Sequence, residues 1–252
     1  MEKKEYEILY TIEDEYWWYV GLRDLVFSSI VKFRGDVRKN SRILDAGCGT
    51  GATLEGLNDY GESYGIDISD EAVRFCKQRG LRNVIKGSVE EIPVGDDFFD
   101  LVTSLDVLYH RKVENDTKAL KELYRVVKNN GILILNLPAY NFLRSRHDEA
   151  IHTRHRYLKS EVRRKVEKTG FHIVKLTYRN SFLFPIFLII RLLEKGRKRE
   201  NAKSDLRSLP DFLNRLLIKI LFLENGLLNK VNLPFGLSIF CVAKKDERRK
   251  RK

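Results

Sequence analysis

The chain has little with which to cross-link itself or cross a membrane. Its three cysteines, Cys48, Cys76 and Cys241, are odd in number and far apart. That excludes a disulfide framework and a regularly spaced zinc site, and reduced thiols in a cytoplasmic compartment are expected. The longest uncharged apolar run, Asn180 to Ile190, falls well short of the roughly 20 residues that span a bilayer. Met1 to Glu7 is polar and charged, so no secretory signal is expected there. No internal repeat is visible. One Met and a single Gln, Gln78, beside abundant Lys and Glu, lean towards a thermophile. What is present is a globular composition: 43% hydrophobic residues among 252, enough to bury a core, and 33% charged. The formal net charge of +12 implies an anionic partner, whether nucleic acid, a membrane surface or a phosphorylated substrate, and does not choose among them.

The chain is organised around Ile43-Leu44-Asp45-Ala46-Gly47-Cys48-Gly49-Thr50-Gly51. A short apolar run, an acidic residue, three alternate glycines and a helix-compatible segment predict a strand, a tight turn and a helix start. Glycine is placed where the backbone needs positive φ or must lie against a ligand. Gly47 to Ala52 also satisfies the loose dinucleotide pattern G-x-G-x-x-G/A. Asp45, two places before Gly47, argues against that ligand: a carboxylate there repels a pyrophosphate. It favours S-adenosyl-L-methionine, which carries an ammonium and a sulfonium. Asp67 lies 22 residues beyond Asp45 (67 − 45), where a carboxylate at the end of a second strand can accept both ribose hydroxyls.

The string ILDAGCGTG resembles the first motif of the class I S-adenosylmethionine-dependent methyltransferases, and the chain is most similar to their small-molecule, ubiquinone- and menaquinone-methyltransferase-like group. The resemblance runs from about Tyr16 to Tyr178. It implies an α/β fold: a Rossmann-like, doubly wound seven-stranded sheet with strand seven antiparallel. It implies cofactor contacts from Asp45, Gly47, Cys48, Gly49, Gly51, Asp67 and its neighbour Ile68. Ser88 and Val89 stand where the family meets adenine, with Ser88 replacing a common Asp. The run Asp96 to Val102 resembles the approach to the fourth strand, after which Leu105, Asp106 and His110 fall at the reaction face.

Four adjacent aromatics, Tyr16 to Tyr19, precede an amphipathic helix expected over Val20 to Phe33. They read either as a staple packing that helix on the sheet edge or as a lid. In the lid, Trp18 would meet the sulfonium and Arg23 the methionine carboxylate. A helix is expected over Glu114 to Lys128, a buried strand over Ile132 to Leu137 and a sixth strand over Phe171 to Tyr178. After the fifth strand comes a polar segment with three histidines within nine positions. As substrate chemistry, His147 or His152 would take a proton with Asp148 orienting the imidazole, while Arg144, Arg146 and Arg156, with Tyr140 and Tyr157, hold the acceptor. The alternatives are a basic loop tied down by hydrogen bonds and, ranked lowest, a metal site; no metal is expected.

The expected division is an aromatic lid and helix over 1–35, a core over 36–178, an apolar and basic helical insertion over 179–236, the last strand over 237–244 and a basic tail over 245–252. The insertion reads as a helical hairpin on the core, or as an element that lies on anionic lipid or shapes a greasy acceptor pocket. The functional expectation is methyl transfer to an O, N or C nucleophile of a small, hydrophobic or phosphate-bearing acceptor, in the cytoplasm or peripherally at the membrane. RNA methylation, with nucleic acid as partner, and a non-catalytic S-adenosylmethionine-binding partner protein are the alternatives.

Overall fold

Apolar runs of strand length alternate with amphipathic segments, a pattern that buries itself only as a sheet covered on both faces. The computed structural model describes residues 3–33, 40–194 and 209–246. Residues 34–39, the stretch 195–208 of the insertion and the tail beyond 246 therefore lie outside the described residues.

The strands are β1 (Arg42–Ala46), β2 (Glu62–Asp67), β3 (Val84–Lys86), β4 (Phe99–Leu105), β5 (Val127–Pro138), β6 (Phe171–Arg179) and β7 (Ser238–Lys245). They form one sheet in the order β3-β2-β1-β4-β5-β7-β6. The first five are parallel, and β7 runs antiparallel between β5 and β6. The helices are α1 (Lys3–Ile12), α2 (Trp17–Phe33), α3 (Ala52–Leu57), α4 (Asp70–Gln78), α5 (Asp116–Val126), α6 (Arg146–Ala150), α7 (Lys159–Thr169), α8 (Phe184–Glu194) and α9 (Asp211–Leu228).

Period-two alternation divides the core. Leu44, Val102, Leu133, Leu135 and Cys241 face α5 and α7 through Leu120, Leu123, Val162 and Val166. Ile43, Leu101, Ile134, Phe240 and Val242 face the other way, onto α2 through Leu22, Leu25, Val26 and Ile30, and onto Leu228 of α9. The inserted helices thus join the same face as the N-terminal helix.

Among the boundaries that differ from expectation, three bear on the site. β5 begins at Val127, not Ile132: Val127 already pairs with Phe99, and Asn129-Asn130-Gly131 is a bulge within the strand, with Asn130 at φ 65°. α2 starts at Trp17, so Trp17 to Tyr19 belong to its first turn and Tyr16 precedes it. β6 continues one residue further, to Arg179, which pairs with Ser238.

Candidate functional site

The glycine turn leaves β1 with Gly47, Gly49 and Gly51 all at positive φ, 90°, 55° and 98°. The Gly47 and Cys48 N–H groups both donate to the Ile66 carbonyl, at 2.8 and 3.0 Å, locking the turn to β2. A Cβ on Gly47 would meet Val107 at 2.2 Å, whereas one on Gly49 would find only Leu9, at 4.0 Å. Gly49 is therefore the open point of the cradle, and α1 is its roof.

Three carboxylates converge on this turn. Asp45 is 2% exposed and accepts the Thr103 hydroxyl at 2.7 Å. Burial pushes it up to about 7 against the Thr103 hydrogen bond, reinforced by Asp67 and Glu13. Asp67 ends β2 and accepts the Gly49 N–H at 3.0 Å and the Ser69 N–H at 2.9 Å. Burial raises it despite those bonds. Glu13, just past α1, accepts the Thr50 hydroxyl and pairs with Arg79 at 2.8 Å, and burial raises it as well. A pocket so lined repels phosphate and attracts a cation. Glu13 and Arg79 also latch α1 over the turn, helped by Tyr10, which stacks on Phe75 at 4.7 Å and lies under the Arg79 guanidinium at 4.9 Å. Charged residues in an acidic leader look solvated in sequence, so this latch was not legible there.

The expected partners of the lid change. Arg23 does not face the turn: it donates to the carbonyls of Glu13 and Asp14, at 2.6 and 2.8 Å, and so ties the α1–α2 corner. Trp17 is buried with Leu183 and Leu221 of the insertion, and Trp18 meets it edge-on at 5.4 Å. The Trp18 ring lies over the Arg179 guanidinium, 5.5 Å from it. Cys48 turns into the core beside Cys76, with the sulfurs 3.8 Å apart. Ile68 is 41% exposed beside Asp67. Val89 is buried in the core with Ile92, and the Ser88 hydroxyl accepts the Glu90 N–H at 3.1 Å. Leu105 packs towards α2.

The polar segment after β5 spends its charges on itself. Asp148, 1% exposed, accepts Arg156 at 2.7 Å and the Ser145 N–H at 2.8 Å. Burial opposes its ionisation, but Arg156 and Ser145 outweigh it and hold it below the usual carboxylate range. Arg156 also donates to the Ala139 carbonyl at 2.8 Å, and Arg144 to the Thr153 carbonyl at 2.9 Å. Tyr157 is buried, its hydroxyl 2.8 Å from Asp116. Tyr140 stacks on Tyr178 at 5.1 Å. These contacts correct the expectation that Asp148, Arg144, Arg156 and Tyr157 face an acceptor: the geometry is that of the tied basic loop. Arg146 and His147 belong to α6, but their side chains lie outside the described residues. His152 meets His110 ring to ring at 5.9 Å, at the carboxyl end of β4. Burial pulls His110 down to about 4, so it is neutral at pH 7.

At that same end of the sheet, non-glycine residues take left-handed backbone after three strands: Asp106 at φ 57°, Tyr140 at 60° and Asn180 at 58°. Such conformations persist where surrounding structure enforces them, and they gather at sites. Asp106 is half-buried and accepts the Asn136 amide at 2.8 Å. Burial lifts it to about 6 against the pull of Arg179. Arg179 itself was missed in sequence because β6 was ended at Tyr178; the signal was its parity with Thr177 in an alternating strand.

Residues 44–135 match the family model for a methyltransferase domain. Over 109 residues the chain is 36% identical to a tRNA (carboxymethyluridine(34)-5-O)-methyltransferase of Arabidopsis thaliana, covering 43% of this chain and 26% of that one. Over 122 residues it is 36% identical to a demethylmenaquinone methyltransferase of Geobacillus kaustophilus, covering 44% and 51%. The chain thus spans between about a quarter and a half of these two relatives. Among solved structures, a putative sarcosine dimethylglycine methyltransferase from Galdieria sulphuraria superposes with a TM-score of 0.59 at 19% identity, covering 90% of this chain and 86% of that one.

Proposed function

We propose that this chain is a class I S-adenosylmethionine-dependent methyltransferase, a reading that its domain match and its sheet support, and that it moves a methyl group to a small acceptor seated beneath the inserted helices. The observation that carries the reading is the acidic glycine turn. Asp45 and Asp67, buried at the ends of adjacent strands, flank an open Gly49, a cradle that suits a cationic nucleoside and not a pyrophosphate. When bound there, the cofactor supplies an electrophilic methyl group on a sulfonium. Asp67 would hold the ribose, and the Gly47–Gly51 backbone with Asp45 the amino-acid end. The strand ends then do what a positioning enzyme requires: they fix the acceptor at one distance and exclude water. His152, which meets the His110 ring at 5.9 Å at the carboxyl end of β4, would take a proton from an acceptor that carries one. The α1 roof, latched by Glu13 and Arg79, closes the cradle, and the division into lid, core and insertion assigns acceptor choice to the insertion.

The inserted helices support a hydrophobic acceptor and peripheral contact with a membrane. Ile186, Ile189 and Leu193 of α8 and Phe212, Leu216 and Leu223 of α9 are all exposed, between 49% and 73%. Among the described residues, no helix is long and apolar enough to cross a membrane. A second reading, tRNA as acceptor, draws on the net charge and on the name of the plant relative. Incubation with tritiated S-adenosylmethionine and three pools (a lipid extract, small organic acids and phosphates, and bulk tRNA) tests the assignment. Label in the lipid or small-molecule pool supports it, and label in tRNA selects the second reading. Binding without transfer to any pool leaves the non-catalytic partner.

A further inference from the structure

The last residue of β6 is the least reconciled charge among the described residues. Arg179 is 1% exposed, and its Nε, Nη1 and Nη2 all lack a hydrogen-bond partner. A buried guanidinium that donates nothing is among the costliest arrangements a chain can keep. Two carboxylates, Asp106 and Glu224, lie close enough to feel its field, but neither bonds it. Asp106 is engaged by the Asn136 amide and Glu224 Oε2 by the Phe182 N–H at 2.8 Å, while Glu224 Oε1 is buried and, like the guanidinium, without a hydrogen bond. Burial lowers Arg179 to about 10 while both carboxylates hold it up, so it stays charged at neutral pH. The amide of Asn180, next in the chain and fully buried, is unpartnered at both its nitrogen and its oxygen.

The position of this group is informative. By parity Arg179 points to the α2 face, at the carboxyl end of the sheet, where Trp18 covers it at 5.5 Å. Trp18 is only partly buried, so one ring separates the guanidinium from solvent. β6 lies four strand spacings from β1 in the sheet order, about 19 Å at the usual inter-strand distance. That is too far to serve the cofactor cradle, but Arg179 is coupled to Asp106 at the end of β4, where the reacting group must sit.

We propose that Arg179 is the anchor for an oxyanion, a carboxylate or a phosphate, on the methyl acceptor, seated under Trp18 beside Asn180. That the anion belongs to a methyl acceptor rests on the methyltransferase reading; that an oxyanion binds here rests on the unpartnered guanidinium. The planar fork of an arginine matches both anions bidentately. Asn180 adds a donor for an anion's remaining oxygen. The tied arginines of the polar loop suit this role less, because two nitrogens of Arg144 and two of Arg156 already donate to carbonyls and to Asp148.

The test uses the full chain, free and saturated with S-adenosylhomocysteine, titrated with benzoate, phenyl phosphate and benzyl alcohol. Tryptophan fluorescence and calorimetry read the binding. The wild type is expected to bind at least one of the two anions and to bind benzyl alcohol at least about tenfold more weakly, the loss expected of a charge-assisted pair. Which anion binds tells carboxylate from phosphate. Arg179→Met is expected to lose at least tenfold for that anion, Arg179→Lys less, and both to keep the wild-type affinity for S-adenosylhomocysteine. Equal binding of anion and alcohol by the wild type, or anion binding unchanged in Arg179→Lys and Arg179→Met, overturns the proposal. So does a variant that only melts lower while the wild type ignores both anions, which makes Arg179 an internal counter-charge. If Arg179→Met fails to fold, the wild-type comparison and Arg179→Lys decide. Absence of S-adenosylhomocysteine binding overturns the methyltransferase reading instead, and the anion titration of the free chain is judged by the same criteria.

Discussion

Asp45 makes the acidic turn measurable as a function of pH. In the folded chain its carboxyl is lifted from 3.8 to about 7 by burial, against the Thr103 hydrogen bond and with Asp67 and Glu13 adding to the rise. A folded pKa above the unfolded one means that the folded state binds more protons between those two values. The contribution of Asp45 to stability is therefore greatest below about pH 4 and falls as pH rises through 7. The span is roughly 3 units, which at 1.36 kcal/mol per unit is about 4 kcal/mol of destabilisation by pH 8. Asp45→Asn keeps an oxygen for the Thr103 hydroxyl and removes the titration. Urea unfolding of both proteins from pH 4.5 to 8.5 should show the variant gaining on the wild type up to about pH 7, by about 3 kcal/mol. The cofactor reverses the sign: a bound cation favours ionised Asp45. The ratio of wild-type to variant affinity for S-adenosylmethionine should thus rise between pH 6 and 8. A stability difference independent of pH would mean that Asp45 is ionised throughout. An affinity ratio independent of pH would mean that its carboxylate does not face the cofactor.

Other consequences are local. Gly49→Ala has room for its Cβ and should cost only about 1 kcal/mol for the left-handed backbone, yet abolish cofactor binding by calorimetry, whereas Gly47→Ala should also lower the Tm because its Cβ meets Val107 at 2.2 Å. Arg79→Met leaves Glu13 buried without its cation, a loss of about 3 kcal/mol or more. It should raise hydrogen exchange across α1 well before the strands respond. Arg156→Met strands Asp148 in the same way and should lower the Tm while methyl transfer per folded molecule stays near wild type; a folded but inactive Arg156→Met would restore the loop to the chemistry.

The parallel core was legible because its strands are buried on both faces and read as apolar runs, and because Asp45, the glycines and Asp67 have a spacing fixed by backbone geometry. The polar loop was misread for a physical reason. A sequence displays how many charges a loop has, not whether they turn inward to meet one another, and Asp148 with Arg156 do. The same limit hid the latch of Glu13 and Arg79, 66 residues apart, and gave Arg23 a ligand in place of two carbonyls. Arg179 escaped because strand ends are set by pairing, here with Ser238, rather than by the pattern of the strand itself. The insertion was legible as helical and apolar, but its packing on α2 is a tertiary choice that no local periodicity encodes.

The central claim is that the turn between β1 and α3 binds a cationic nucleoside through Asp67. Calorimetric titration with S-adenosylmethionine, S-adenosylhomocysteine and NAD, of the wild type and of Asp67→Asn, tests it most directly. The account predicts binding of the first two and not of NAD, with both affinities falling at least about tenfold in a variant that still folds. Binding of NAD alone, or affinities for S-adenosylmethionine and S-adenosylhomocysteine that survive Asp67→Asn unchanged, would contradict it.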